Sequence, residues 1–163
     1  MPAERSVPTA RHSHVGLVVA DLAPAVAFYA ELTGARTVHL MEIPEFGIRN
    51  VFVSAGPDVF IELIESPSER GLRVLGETYR PGEQILAMET DDLDATIAGL
   101  SRRGADVTAL PPTATLPFPR GWVSRDGVPR ATRGDLPIEL LPAGTVAQLV
   151  ERCEVREPAN LTG

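Results

Sequence analysis

Cysteine and aromatic residues are scarce in this chain, and long apolar runs are missing. Its 163 residues include one cysteine, Cys153, and aromatic residues make up only 5%. A single cysteine excludes an internal disulfide and a cysteine-rich zinc site. No apolar run approaches the ~18 residues that a membrane-spanning helix needs, and residues 1–11 lack the apolar core of a signal peptide. We therefore expect a cytoplasmic protein that makes no membrane contact.

Positively charged residues are also fewer than negatively charged ones. Fifteen Lys and Arg residues against 22 Asp and Glu residues give a net charge of −7, which argues against binding to nucleic acid. A glycine-rich phosphate loop and a Gly-x-Ser-x-Gly elbow are both absent, so we expect neither a nucleotide site nor a serine hydrolase. The hydrophobic share of 44% is typical of a folded domain with a buried core.

An internal repeat organises the chain. The segment from His14 to Leu22 is an apolar run that ends on Asp21, and a helical pattern follows it as far as Gly34. Residues 85–93 align with this segment, with Asp92 in place of Asp21. Each copy predicts a buried strand followed by a helix with an aspartate N-cap.

The repeat extends to a later strand in each half. Residues 136–141 match residues 60–65, and both contain Ile-Glu-Leu with Glu62 or Glu139 at the centre. The sequence therefore predicts an α+β fold made of two βαβββ modules. The predicted segments are a flexible leader 1–11, a first module 12–65, a connector 66–83, a second module 84–143 and a tail 144–163 with a short helix.

Three polar residues fall at related positions in the predicted strands. Because alternate strand residues share a face, His14, Glu62 and Glu139 should lie on the sheet face that the helices leave uncovered. The fourth equivalent position is Ile85. A carboxylate within an apolar strand costs free energy unless it is paired, solvated or bound to a cation. Either glutamate alone fits a solvated sheet face, but the repeated pair favours an active site.

The residues from His14 to Leu22 that lead into Ala27-Phe28-Tyr29, together with their second copy, resemble the vicinal oxygen chelate superfamily. This group includes glyoxalase I, extradiol dioxygenases, methylmalonyl-CoA epimerase and bleomycin-resistance proteins. The resemblance covers about residues 12–143, and residues 61–65 and 88–93 look most like the epimerase branch. It implies that the sheet curls into a cup, and that metal-dependent members place ligands at positions matching His14, Glu62, Ile85 and Glu139.

The residue at position 85 departs from the family pattern, because the metal enzymes usually carry histidine where this chain has Ile85. His14, Glu62 and Glu139 remain as a ligand set for a divalent ion such as Mn²⁺, Co²⁺, Ni²⁺ or Zn²⁺. The alternative is a metal-free site in which the same three residues form an acid–base set. Both alternatives lead to proton abstraction beside a carbonyl group.

We expect the pocket around this set to be lined by Phe60, Ile85, Trp122 and Arg120, although Trp122 also fits a purely packing role. The resemblance implies a small-molecule enzyme, which we expect to be a homodimer. It would be an epimerase or isomerase, or a dehydratase or cyclase acting on a polyketide-like intermediate. The alternative is a drug- or metabolite-binding protein of the bleomycin-resistance type.

Overall fold

The computed structural model describes residues 10–65, 80–129 and 136–161. Most of the predicted leader (residues 1–9) and of the predicted connector (residues 66–79) lies outside the described residues. Within them, nine strands form one sheet. The strands are β1 (Arg11–Val18), β2 (Val38–Ile43), β3 (Ile48–Gly56), β4 (Val59–Glu65), β5 (Gln84–Thr90), β6 (Val107–Leu110), β7 (Arg120–Val123), β8 (Ile138–Pro142) and β9 (Glu154–Arg156).

The described residues also form three α-helices, α1 (Leu22–Thr33), α2 (Leu93–Arg102) and α3 (Thr145–Arg152), and none of them is long and apolar enough to cross a membrane. The predicted N-caps of α1 and α2 are confirmed. The Asp21 side chain accepts the backbone N–H of Ala23, and the Asp92 side chain accepts that of Ala95. These bonds satisfy N–H groups that have no partner within the helix.

The sheet contains both predicted modules, related by a pseudo-twofold axis. Its strand order is β6-β7-β8-β5-β1-β4-β3-β2-β9. Within the modules β1 runs parallel to β4 and β5 runs parallel to β8, while β1 and β5 join the two halves as antiparallel neighbours. The repeat holds residue by residue, because Gly16 lies opposite Glu62 and Ala87 lies opposite Glu139. The predicted α+β fold of two βαβββ modules is confirmed.

Helix α1 covers one face of the first module. It buries Leu22, Val26 and Ala30 against Val51 and Leu63, both of which are inaccessible to solvent. These contacts occupy the face on which the side chains of odd-numbered β4 residues lie. The even-numbered Glu62 therefore lies on the opposite face of the sheet.

Helix α3 covers part of that opposite face, which the sequence analysis expected to be free of helices. Its residue Leu149 is buried in a cluster with Met41 and Phe52, and Phe60 packs against the same cluster. Phe52 lies directly opposite Glu62 in the β3–β4 pair, so the cluster adjoins the predicted site. The tail thus packs beside the predicted site residues rather than only following the second module.

A carboxylate from the second module holds the N-terminus of α3. The Glu89 side chain accepts the backbone N–H groups of Gly144 and Val146 at 2.9 and 3.0 Å. Glu89 is 8% exposed. Because the N-terminus of a helix carries partial positive charge, a buried carboxylate at this position fixes both the position and the direction of α3.

We predict that Glu89→Gln lowers the free energy of unfolding by about 1–3 kcal/mol, since a charged acceptor of two buried N–H groups becomes neutral. Urea unfolding at neutral pH measures this difference. Glu151→Gln on the exposed side of α3 is the matched control, and its effect should be within about 0.5 kcal/mol. Equal effects of the two substitutions would contradict the assignment of Glu89 as the residue that anchors α3.

Candidate active site

His14 and Glu62 form a direct buried pair on neighbouring parallel strands. His14 is 2% exposed, and its Nε2 lies 3.1 Å from Oε2 of Glu62. Gly16 on β1 leaves the room for this contact, because a Cβ atom there would lie only 3.4 Å from Glu62 Oε2 and 3.0 Å from the Ile64 side chain. Two of the three predicted polar residues therefore touch.

Asn50 on β3 holds the other oxygen of Glu62, and the sequence analysis missed it. Its Nδ2 donates to Glu62 Oε1 at 2.6 Å, and both residues are buried. A single amide within an apolar strand is the sequence signal that points to it. Asn50 fixes the rotation of the Glu62 carboxylate, so that Oε2 faces His14.

A β-bulge in β1 adds a further partner that the sequence analysis missed. The register between β1 and β5 shifts between His12 and His14, which brings the Ser13 hydroxyl beside the His14 ring. Ser13 Oγ lies 3.0 Å from His14 Nδ1 and donates to Glu89 Oε1 at 3.1 Å. The Ser13 hydroxyl thus adds a side-chain link between the two modules to the backbone pairing of β1 with β5.

These contacts determine where the protons lie on His14. Ser13 has one hydroxyl proton, and that proton is used in the bond to Glu89. The contact of Ser13 with His14 therefore requires Nδ1 to carry a proton and donate it. Nε2 then meets Glu62 either as an imidazolium N–H or as the acceptor of a carboxyl proton. In both forms the pair of His14 and Glu62 holds one transferable proton.

Glu139 meets a different partner on the other side of the junction between modules. Its Oε1 lies 3.4 Å from Nη1 of Arg120, whose side chain is 8% exposed. Trp122, on the same strand as Arg120, pairs directly with Glu139 in the β7–β8 ladder. The equivalent glutamates of the two modules therefore sit in unequal surroundings.

The charged groups act on one another across the site. Burial disfavours the charged form of His14, but the hydrogen bond to Glu62 and the negative charges of Glu62, Glu139 and Glu89 outweigh it and raise the pKa of His14. Burial raises the pKa of Glu139, and the charge of Arg120 offsets this effect only in part. The surroundings thus favour the protonated form of each group more than water does.

The apolar residues expected to line the pocket, Phe60, Ile85 and Trp122, fall into two groups beside the polar set, and the fourth expected residue, Arg120, pairs with Glu139. Phe60 packs against the cluster under α3, and its ring lies 6.4 Å from that of Phe52. Ile85 and Trp122 pack together with Val18 on the other side. The Ile85 side chain shares a face with Glu62, because both adjoin the space at Gly16.

Cys153 is not a nucleophile in this site. Burial, together with the negative charge of Glu62, raises the pKa of its thiol to about 11. The thiol also donates to the carbonyl oxygen of Leu149. A thiol in this state does not supply the thiolate that nucleophilic catalysis needs.

The donors expected for a divalent ion are committed to other contacts. Residues 10–65, 80–129 and 136–161 contain no group of three or more His, Cys, Asp and Glu residues arranged to hold a metal ion. His14 and Glu62 bond to each other, whereas Glu139 bonds to the Arg120 cation. Apolar Ile85 occupies the fourth position. These residues do not fit a metal ion in this arrangement.

Comparison with known proteins supplies evidence on the family of this chain that does not depend on the geometry of the site. Over 96 residues the chain is 30% identical to mitochondrial methylmalonyl-CoA epimerase of Homo sapiens, an alignment that covers 57% of this chain and 53% of the human protein. The mouse epimerase gives similar figures, so the chain spans about half the length of the curated relatives it matches.

Solved structures agree with these sequence matches. The crystal structure of methylmalonyl-CoA epimerase from Mycobacterium tuberculosis superposes with a TM-score of 0.62 at 28% identity, covering 88% of this chain and 95% of that one. An epimerase bound to methylmalonyl-CoA and NH₄⁺ superposes with a TM-score of 0.59 over 83% of this chain and 96% of that one, and its 22% identity supports the fold alone.

The family model of the glyoxalase-like domain matches residues 13–137. The matched range runs from the bulge in β1 to Pro137, the residue before β8, so it includes most of both modules. This agreement confirms the resemblance drawn from the repeat. The chain belongs to the glyoxalase-like domain family.

Proposed function

We propose that this protein is an epimerase that moves the proton on the carbon beside the thioester carbonyl of a branched acyl-CoA. The observation that carries the proposal is the pair of equivalent glutamates in unequal surroundings. Glu62 is bonded to His14 and Asn50, whereas burial raises the pKa of Glu139. Such a difference assigns one carboxyl group as base and the other as acid.

The two groups perform the reaction in two steps. Ionised Glu62 accepts the α-proton, and the electron pair of the C–H bond moves into the carbonyl to form an enolate. Protonated Glu139 then donates its proton to the opposite face of the same carbon, which inverts the configuration. After one turnover the two carboxyl groups have exchanged protonation states, and they return to the starting state through the reverse reaction or through exchange with solvent.

His14 supports the ionised form of Glu62 in this scheme. An imidazolium at Nε2 stabilises the carboxylate at 3.1 Å, and the contact of Nδ1 with Ser13 keeps the ring in place. The apolar groups around Phe60 and around Ile85 and Trp122 supply walls for a branched acyl chain. They also limit the access of water to the enolate.

The named relatives favour this reaction over the other functions that the resemblance allows. The curated relatives and the Mycobacterium tuberculosis structure at 28% identity are methylmalonyl-CoA epimerases by name, and none of these is a dehydratase, a cyclase or a resistance protein. Methylmalonyl-CoA is therefore the first substrate to test. Binding of the thioester without exchange of its α-proton is the result that the binding-protein alternative requires.

We predict that Glu62→Gln lowers the rate of α-proton exchange by ~10²–10⁴-fold, the usual contribution of a general base. The amide keeps the shape of the side chain and can still bond to Asn50. The measurement is proton NMR of methylmalonyl-CoA in D₂O. Glu42→Gln, a change at an exposed residue of β2, is the matched control and should leave the rate unchanged.

An unchanged exchange rate in a folded Glu62→Gln protein would remove Glu62 from the mechanism. Circular dichroism and thermal unfolding of the same sample confirm that the variant is folded. A wild-type protein that binds methylmalonyl-CoA but exchanges no proton would contradict the proposed function as a whole.

A second prediction distinguishes the role of Glu139 as the acid from the role of Glu62 as the base. With Glu139→Gln, we expect the enantiomer whose α-proton faces Glu62 to keep exchanging that proton with D₂O, because the base is intact. Inversion should fall at least 100-fold, since no acid remains on the other face. NMR follows the exchange, and chiral chromatography of the hydrolysed acid follows the inversion. Equal losses of exchange and inversion would contradict the division of roles.

A further inference from the structure

We propose that Arg120 is the resident cation of this site and that its guanidinium holds the oxyanion of the enolate, in the place where metal-dependent enzymes of this kind use a divalent ion. The inference rests on the proposed function and names the residue that stabilises its intermediate. A guanidinium suits this task because it keeps its charge at all working pH values and presents several N–H donors in one plane.

The surroundings of Arg120 leave part of its binding capacity unused. Its side chain is 8% exposed, and among the described residues only Glu139 hydrogen-bonds to it, through Nη1 at 3.4 Å. The buried Nε has no partner within the described part of the chain. The guanidinium also lies 5.8 Å from the centre of the Phe46 ring. Buried N–H donors without acceptors are costly, so they point to a ligand that supplies oxygen.

The balance of charges in the site also favours Arg120 as the residue that binds the oxyanion. The charge of Glu62 is matched by His14, and Glu89 is held by the N-terminus of α3. When Glu139 carries its proton, as the proposed reaction requires, the positive charge of Arg120 loses its partner. A buried cation in that state binds a developing oxyanion strongly, because no water competes with it.

The position of Ile85 explains why a cation from the chain itself is needed. Ile85 packs against Val18 and Trp122 on the face that carries Glu62, so this side of the site offers no metal ligand. Trp122 lies on the same strand face as Arg120, two residues along β7. Trp122 and the guanidinium of Arg120 therefore reach the site together from β7 of the second module.

The first test compares substitutions of Arg120 in the exchange assay. Arg120→Met should lower the rate of α-proton exchange by ~10²–10³-fold, the usual loss when one oxyanion donor is removed. Arg120→Lys should retain an intermediate rate, because it keeps the charge but not the planar fork. Arg103→Met, at an exposed arginine after α2, is the matched control and should not change the rate. A folded Arg120→Met protein with the wild-type rate would overturn the inference.

The second test adds a direct measurement of metal binding, which does not depend on activity, to an activity measurement after chelation. After treatment with EDTA and a chelating resin, the wild-type protein should keep its full exchange rate. When one equivalent of Mn²⁺ is added to this protein, electron paramagnetic resonance should show that the ion stays free in solution. The double variant Arg120→Met/Ile85→His should bind Mn²⁺ at least tenfold more tightly than the wild type, because it exchanges a cation for an imidazole.

Wild-type protein that binds one Mn²⁺ and loses its activity on chelation would overturn the inference while leaving the proposed function intact. If instead the wild-type protein catalysed no exchange at all, the proposed function would fail. The metal titration would still decide whether Arg120 excludes a divalent ion. The two failures are therefore distinguishable from each other.

Discussion

The antiparallel pairing of β1 with β5 is the contact on which the rest of this structure depends. It sets Val15 opposite Leu86, which are equivalent residues of the two repeats, so the pseudo-twofold axis passes through this pair. Each of the two strands then pairs in parallel with the last strand of its own module. This arrangement places Glu62 and Glu139 at equivalent positions on either side of the axis. The repeat in the sequence thereby becomes two carboxyl groups at equivalent strand positions, which the proposed function assigns to one site.

Symmetry of the backbone does not extend to the side chains around these carboxyl groups. Glu62 is held by His14 and Asn50, whereas the partner of the Glu139 side chain among the described residues is the cation of Arg120. An enzyme that inverts a carbon centre needs a base on one face and an acid on the other. In the proposed function, a duplicated module supplies the two carboxyl groups, and the different residues around each copy assign the two roles.

Much of the fold follows from local patterns in the sequence. The aspartates that cap α1 and α2, and the two matching Ile-Glu-Leu strands, are short-range signals, and the structure agrees with them. The shared face of His14 and Glu62 follows from the two-residue period of a strand together with the parallel register. Apart from the pairing of β1 with β4, which the repeat itself suggests, these features need no knowledge of distant contacts.

The missed features all depend on contacts between segments that are distant in the sequence. The bulge at Ser13 is a shift of register between β1 and β5, which no single strand encodes. The place of α3 is decided by Glu89, which lies 55 residues before Gly144 in the chain. The tail pattern predicts a helix but does not identify the surface that it covers. Asn50 gains its role only when β3 pairs with β4.

The measurement that tests this account most directly is a ¹⁵N NMR titration of the His14 ring. We predict that Nδ1 stays protonated across the titration, because the Ser13 hydroxyl proton is used in the bond to Glu89. We also predict that the pKa of His14 lies above its ordinary value, since the hydrogen bond to Glu62 and the nearby carboxylates outweigh the effect of burial. A neutral ring with a bare Nδ1, and a pKa of His14 at or below the ordinary value, would contradict the proton shared between His14 and Glu62.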